Sequence, residues 1–137
     1  MLNCGGTGFL LYFYLNIRFT KIMNKCILIV EDETELSGML KRYLVKKNYD
    51  VTCADTLSNA MIFIQSNRFD AFILDNNLPD GKGLDLIPTI ISKQNSPKII
   101  AMSAMQIASE AMKAGASHYV EKPISMAGIY SLLNKAS

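Results

Sequence analysis

The sequence predicts an α/β fold, a five-stranded parallel sheet doubly wound with helices on both faces. Two observations predict it. After Met23, short apolar runs alternate with stretches whose apolar residues recur at helical spacing, in five units of about 20 residues each. The strand-like runs also lack polar alternation, as in strands buried on both sides.

The elements follow in order. Lys25–Val30, "KCILIV", is a continuous apolar run and the first strand. "TELSGMLKRYLVKK" follows as a helix, with Leu36, Met39, Leu40, Tyr43 and Leu44 on one face and Thr34 as the expected N-cap. "DVTCA" (Asp50–Ala54) is the second strand, and Leu57, Ala60, Met61 and Ile64 line one face of the second helix. "AFILD" (Ala71–Asp75) is the third strand, with Leu84–Ser92 as the third helix. Lys98–Ser103 is the fourth strand, and Ile107–Ala114 a short fourth helix that Gly115 stops. Ser117–Glu121 is the fifth strand and Ser125–Asn134 the fifth helix.

Composition narrows the class. A chain of 137 residues, half of them hydrophobic and 19% charged, has enough apolar surface for one folded domain with its own core. Of the 14 basic residues, Arg18 and Lys21 lie in a stretch without acids, leaving twelve basic against twelve acidic residues after it. A neutral domain without a basic stripe gives no reason to expect nucleic acid. Cys4, Cys26 and Cys53 form no CxxC pair, and Cys26 and Cys53 sit in strand-like runs, so buried free thiols are expected. Residues 1–22 differ from the rest. "FLLYFYLNIRF" (Phe9–Phe19) is shorter than the roughly 20 apolar residues a membrane-spanning helix needs. It also lacks the basic start and cleavage site of a signal peptide. Residues 1–22 are therefore expected to be an extension outside the domain, which spans 23–137, with a weak hydrophobic anchor to a membrane or partner as the second reading.

In open parallel sheets, sites form where the strands' carboxyl ends emerge. The first strand ends in Glu31-Asp32, the third in Asp75, the fourth in Ser103, and the fifth in Glu121-Lys122-Pro123. Two carboxylates about 4 Å apart repel by roughly 4 kcal/mol at an effective dielectric of 20, so three acids need a counter-charge. A divalent cation with oxygen ligands answers that need, and Mg²⁺ favours a few carboxylates together with water and substrate phosphate. Lysine suits a phosphoryl oxygen. The inventory suits phosphoryl transfer, with Asp75 as acceptor.

Residues 24–136 resemble the receiver domain of two-component response regulators, in its chemotaxis-type single-domain (CheY-like) form. The stretches that carry the resemblance are "ILIVEDE" (Ile27–Glu33), "FILDNNLPDGKG" (Phe72–Gly83), "AMSA" (Ala101–Ala104) and "AGASHYVEKP" (Ala114–Pro123). The resemblance implies a flavodoxin-like sheet of strand order 2-1-3-4-5 with five helices. It implies that Asp75 takes a phosphoryl group from a sensor histidine kinase or a histidine phosphotransfer protein. Glu31 and Asp32 correspond to the acidic pair that holds Mg²⁺, and the backbone carbonyl of Asn77 to a further ligand. Ser103 and Lys122 correspond to the hydroxyl and ammonium that reach the phosphoryl group, Tyr119 to the switching aromatic, and Pro123 to a proline after a cis bond. The face made by the fourth helix, fifth strand and fifth helix would meet a protein target, in the cytoplasm. The protein would then be a phosphoacceptor regulator, catalysing only its own phosphorylation and dephosphorylation. Pro123 has about 14 residues after it, leaving no room for an output domain within this chain.

Plainer readings stand beside these. Alone, Glu31-Asp32 would be a helix N-terminal charge pair, Ser103 an ordinary strand-end serine, and Tyr119 a static core aromatic. His118, the sole histidine, reads as packed or solvent-facing, and Met102, Met105 and Met112 as core filler or an adaptable binding surface. The fourth helix is about one turn shorter than in chemotaxis-type relatives, which bears on the partner. Asn76 stands where the family usually has an apolar or aromatic residue, and Asn77 and Met105 flank the site where family members tune phosphoryl lifetime. Two other functions compete: a receiver-like adaptor that is not phosphorylated, and a Mg²⁺-dependent phosphohydrolase or nuclease. Intact Asp75 and Lys122 argue against the first, and Asp75-Asn76-Asn77, lacking a second acid, against the other.

Overall fold

The computed structural model describes residues 24–135, preceded by Leu10, Leu11, Tyr12 and Leu15. Its elements are β1 (Cys26–Val30), α1 (Thr34–Lys46), β2 (Asp50–Ala54), α2 (Leu57–Ser66) and β3 (Ala71–Asp75). A 3₁₀ turn (Gly83–Leu86), α3 (Ile87–Lys93), β4 (Lys98–Ser103), α4 (Ala108–Ala114), β5 (His118–Glu121) and α5 (Met126–Asn134) follow. The strands are parallel in the order β2-β1-β3-β4-β5, the expected flavodoxin-like arrangement. Leu10–Tyr12 and Leu15 are also helical, in addition to the expected five helices. The rest of the "FLLYFYLNIRF" reading lies outside the described residues, as does Cys4.

Side chains alternate across the sheet, so each strand feeds two cores. Ile27 and Ile29, with Ile73, Ile100 and Met102, pack against Leu40 and Leu44 of α1 and Ile129 and Leu133 of α5. Leu28 and Val30, with Phe72, Leu74 and Ala101, pack against Ala60 and Ile64 of α2, Ile87 and Ile90 of α3, and Ala111 of α4. Burying each large aliphatic side chain contributes about 1.5–3 kcal/mol, and among the described residues the central strands β1, β3 and β4 are covered on both faces.

Local details correct several expectations. Thr34 is the first residue of α1 and not its cap; Glu33 holds the cap position without a side-chain bond to the helix. The third helix begins as the 3₁₀ turn, and α-helix starts at Ile87 with Pro88 in its first turn, where a missing N–H costs nothing. Cys26 and Cys53 are free but only half-buried. Gly115 stops α4 as expected, with φ of 114°, a left-handed conformation that favours glycine. Among the described residues no helix is long and apolar enough to cross a membrane.

Candidate functional site

Register brings the strand ends together. Val30 pairs with Leu74, Asp75 with Met102, and Ser103 with Glu121, so the residues after each strand emerge side by side. Glu31, Asp32 and Asp75 each offer a carboxylate oxygen, and these oxygens all lie within 4.8 Å of one another. Glu31 and Asp75 are 1% and 3% exposed while Asp32 faces solvent.

Lys122 reaches into this cluster from the end of β5. Its Nζ lies 2.8 Å from Glu31 Oε1, 3.3 Å from Asp75 Oδ1 and 3.3 Å from Glu33 Oε1. Burial pushes the Glu31 carboxyl up to about 7, and Asp75 adds to this, against the hydrogen bonds from Lys122 and the Glu33 N–H. Burial pulls the Lys122 ammonium down, but Glu31, Asp75 and Glu33 outweigh it and hold its pKa above the ordinary lysine range. One ammonium thus faces three carboxylates, with Asp32 beside two of them. Hard oxygen donors carrying surplus negative charge suit a divalent cation such as Mg²⁺ or Ca²⁺.

On the other side of Asp75, the Ser103 Oγ accepts the Met105 N–H at 3.0 Å. The Tyr119 hydroxyl donates to the Met105 carbonyl and lies 3.5 Å from the Ser103 carbonyl. Ser103 and Tyr119 are therefore tied to the same residue. Tyr119 is half-buried against the α2–α4 side of the core. The Lys122–Pro123 bond is cis, as expected.

The chain after Asp75 is held closely. The Asn77 N–H donates to Asp75 Oδ1 at 3.3 Å, and Asn76 Oδ1 accepts the Leu84 N–H at 3.2 Å. Gly83 lies so near that a Cβ there would come within 2.1 Å of the Asp75 carbonyl oxygen. Leu78 and Gly81 close a tight turn with reciprocal backbone bonds of 3.1 and 3.3 Å.

Of the residues singled out in the sequence, Glu31, Asp32, Asp75 and Lys122 converge directly. Ser103 and Tyr119 meet through Met105. His118 stays apart; its Nε2 is buried without a partner among the described residues, so it is packed. Met102 belongs to the core, whereas Met105 and Met112 are 69% and 50% exposed. Two contacts were missed, Glu33 with Lys122 and Asp80 with the Leu57 and Ser58 N–H groups of α2. Glu33 was visible only as the third acid of "EDE", and Asp80 only as part of a Pro-Asp-Gly turn, a signal for chain reversal rather than for contact with α2.

A parallel sheet ending in this constellation, two buried acids and a lysine at three different strand ends, is the kind of site that suits a divalent cation and a phosphoryl group. Comparison with known proteins names it. The model of the response regulator receiver domain matches residues 27–134. The Thermotoga maritima chemotaxis protein CheY is 33% identical over 119 residues, covering 84% of this chain and 99% of that protein. The Escherichia coli (strain K12) transcriptional regulatory protein DpiA is 33% identical over 103 residues, 72% of this chain but 46% of DpiA. This chain thus spans about half the length of several curated relatives it matches. Among solved structures, Thermotoga maritima TrrA in complex with Mg²⁺ and BeF aligns with a TM-score of 0.72 at 29% identity, over 80% of this chain and 96% of TrrA. A Burkholderia pseudomallei response regulator with a phosphorylated aspartic acid, calcium ion and citrate aligns with a TM-score of 0.77 at 26% identity, over 82% of this chain and 68% of that one. The chain belongs to the response regulator receiver family of two-component systems.

Proposed function

We propose that Asp75 is the phosphoacceptor, taking a phosphoryl group from the phosphohistidine of a sensor histidine kinase or histidine phosphotransfer protein. The observation that carries this reading is Lys122 Nζ 3.3 Å from Asp75 Oδ1, beside carboxylates whose oxygens share one site. Glu31, Asp32, Asp75 and the backbone carbonyl of Asn77 would hold Mg²⁺, with Glu31 acting through water. Bound there, the ion supplies positive charge against the phosphoryl oxygens. An Asp75 carboxylate oxygen attacks phosphorus in line; the O–P bond forms as the histidine N–P bond breaks, and the leaving nitrogen keeps the electron pair. Lys122, already 3.3 Å from Asp75, turns its ammonium from Glu31 and Glu33 to a phosphoryl oxygen and offsets the charge that develops there.

The new group brings about −2 charge and three acceptor oxygens beside Ser103. The Ser103 hydroxyl turns to it and lets go of the Met105 N–H, and Tyr119, bonded to the same residue, follows inward. The face of α4, β5 and α5 then repacks for a protein target, and the exposed Met105 and Met112 give that face adaptable contacts. A differential affinity of a few kcal/mol suffices to move such a two-state population. The supported setting is a cytoplasmic relay without nucleic-acid contact by this domain.

The test is incubation with a small phosphodonor and Mg²⁺, read by intact mass. Wild type should gain one phosphoryl group and Asp75→Asn, still folded, none. A gain in Asp75→Asn places the acceptor elsewhere. In parallel, amide shifts on adding beryllofluoride should spread from Asp75 into residues 103–130; shifts confined to the acidic site would leave a phosphate sink rather than a switch.

A further inference from the structure

We infer that Asp80 is a positioning residue for the metal site, clamping the turn that carries Asn77 onto the first turn of α2. The inference rests on the reading of Asn77 as a metal ligand. Asp80 Oδ1 accepts the Leu57 N–H at 2.8 Å, and Oδ2 accepts the Ser58 N–H and the Ser58 hydroxyl, each at 3.1 Å. The first N–H groups of a helix have no partner within it. Here Thr56 Oγ1 takes the Asn59 N–H at 3.0 Å, and the two before it go to a carboxylate from another element.

The clamp stands three positions after Asn77. Between them Leu78 is buried, and its reciprocal bonds with Gly81 leave the turn little freedom. Upstream, Asn77 follows the rigid end of β3 and donates its own N–H to Asp75. The backbone at Asn77 is thereby fixed from both sides, by β3 before it and through Asp80 by α2 after it. A carbonyl ligand has no rotamer to adjust; its direction is set wholly by the peptide plane, hence by these anchors. The helix dipole favours a carboxylate at this place, and the hydrogen bonds hold the Asp80 carboxyl below the usual carboxylate range.

Supporting partners of metal ligands typically change metal affinity 10–100-fold when removed, and a single backbone ligand belongs at the low end. In the full chain, Asp80→Ala should therefore weaken Mg²⁺ binding about tenfold, measured by ¹⁵N amide shifts during Mg²⁺ titration. Asp80→Asn, which keeps an acceptor oxygen but loses the charge, should weaken it less, and Ser58→Ala least. The spectrum at saturating Mg²⁺ should match wild type in all three. Unchanged Mg²⁺ affinity in Asp80→Ala, with faster hydrogen exchange at Leu57 and Ser58, would make Asp80 a helix cap only and overturn the inference. Equal losses in Asp80→Ala and Asp80→Asn would overturn it in favour of a charge effect. Should Asp80→Ala not fold, the comparison of Asp80→Asn with Ser58→Ala decides, since a clamp requires both to weaken binding. Wild-type protein that binds no Mg²⁺ would instead remove the metal reading beneath it.

Discussion

The loops on either side of the site are built differently. From Asp75 to Ile87 the chain is tied at short intervals: Asn77 to Asp75, Asn76 to Leu84, Leu78 to Gly81, and Asp80 to α2. From Ser103 to Ala108 almost everything passes through Met105. Its N–H goes to Ser103 Oγ, and its carbonyl receives the Tyr119 hydroxyl and the Ile107 N–H. Helix α4 then starts without a side-chain cap and buries only Ala111. On the proposed function, the first loop would hold Asp75 in place, as attack at phosphorus requires. The second hangs on Met105, whose partners would change on the proposed function. Dense ties and sparse ties thus fall to separate loops, one after β3 and one after β4.

The largest effect should come from breaking the rigid loop. Gly83→Ala would drive a methyl group into the Asp75 carbonyl, costing about 3 kcal/mol as overpacking, and should displace Asp75 enough to abolish phosphorylation; denaturant melts and intact mass check both. Next, Lys122→Ala should fold and still bind Mg²⁺, yet phosphorylate about 10²-fold more slowly, the usual loss for one preorganised donor at a developing charge. Full-speed phosphorylation of this variant would show that the loops alone suffice.

The loose loop should yield smaller numbers. Tyr119→Phe removes one hydrogen bond and should change stability by about 1 kcal/mol or less. Its phosphorylation rate should stay at the wild-type value while beryllofluoride-induced shifts in α4 shrink. A slower rate would show the two loops to be one unit. The smallest effect concerns pH. Because the Asp80 carboxyl is held below its ordinary range by its bonds to Leu57 and Ser58, its contribution is present above the unfolded carboxylate pKa and lost as pH falls through the folded one. The difference in Tm between wild type and Asp80→Asn should therefore be constant at neutral pH and close in acid.

The two loops also differ in how legible they were. Strand ends were readable because the apolar runs stop abruptly at charge, and parallel topology sends every such end to one edge. That alone assembled Glu31, Asp32, Asp75 and Lys122. Caps and loop ties depend on where a side chain points in space, so Thr34 read as a cap although Glu33 holds that position and turns to Lys122 instead. Periodicity placed the third helix but not its 3₁₀ entry, because Leu84 and Leu86 fit either helical spacing. The cysteines sit in strand-like runs, yet β2 lies at the sheet edge and Cys26 begins β1, so neither thiol is fully covered.

The strand order has a consequence for the growing chain. β1 sits between β2 and β3, and β3 is made later than either. At the 5–20 residues per second of synthesis, the interval from β1 to β3 lasts roughly 2–8 seconds. Ile27–Val30, fully covered in the finished molecule, spends that time with one neighbour at most. The charges arrive in the same order. Glu31, Asp32 and Asp75 emerge first, and the lysine that meets them is made after the fifth strand, so translation completes the sheet before it balances the acidic edge.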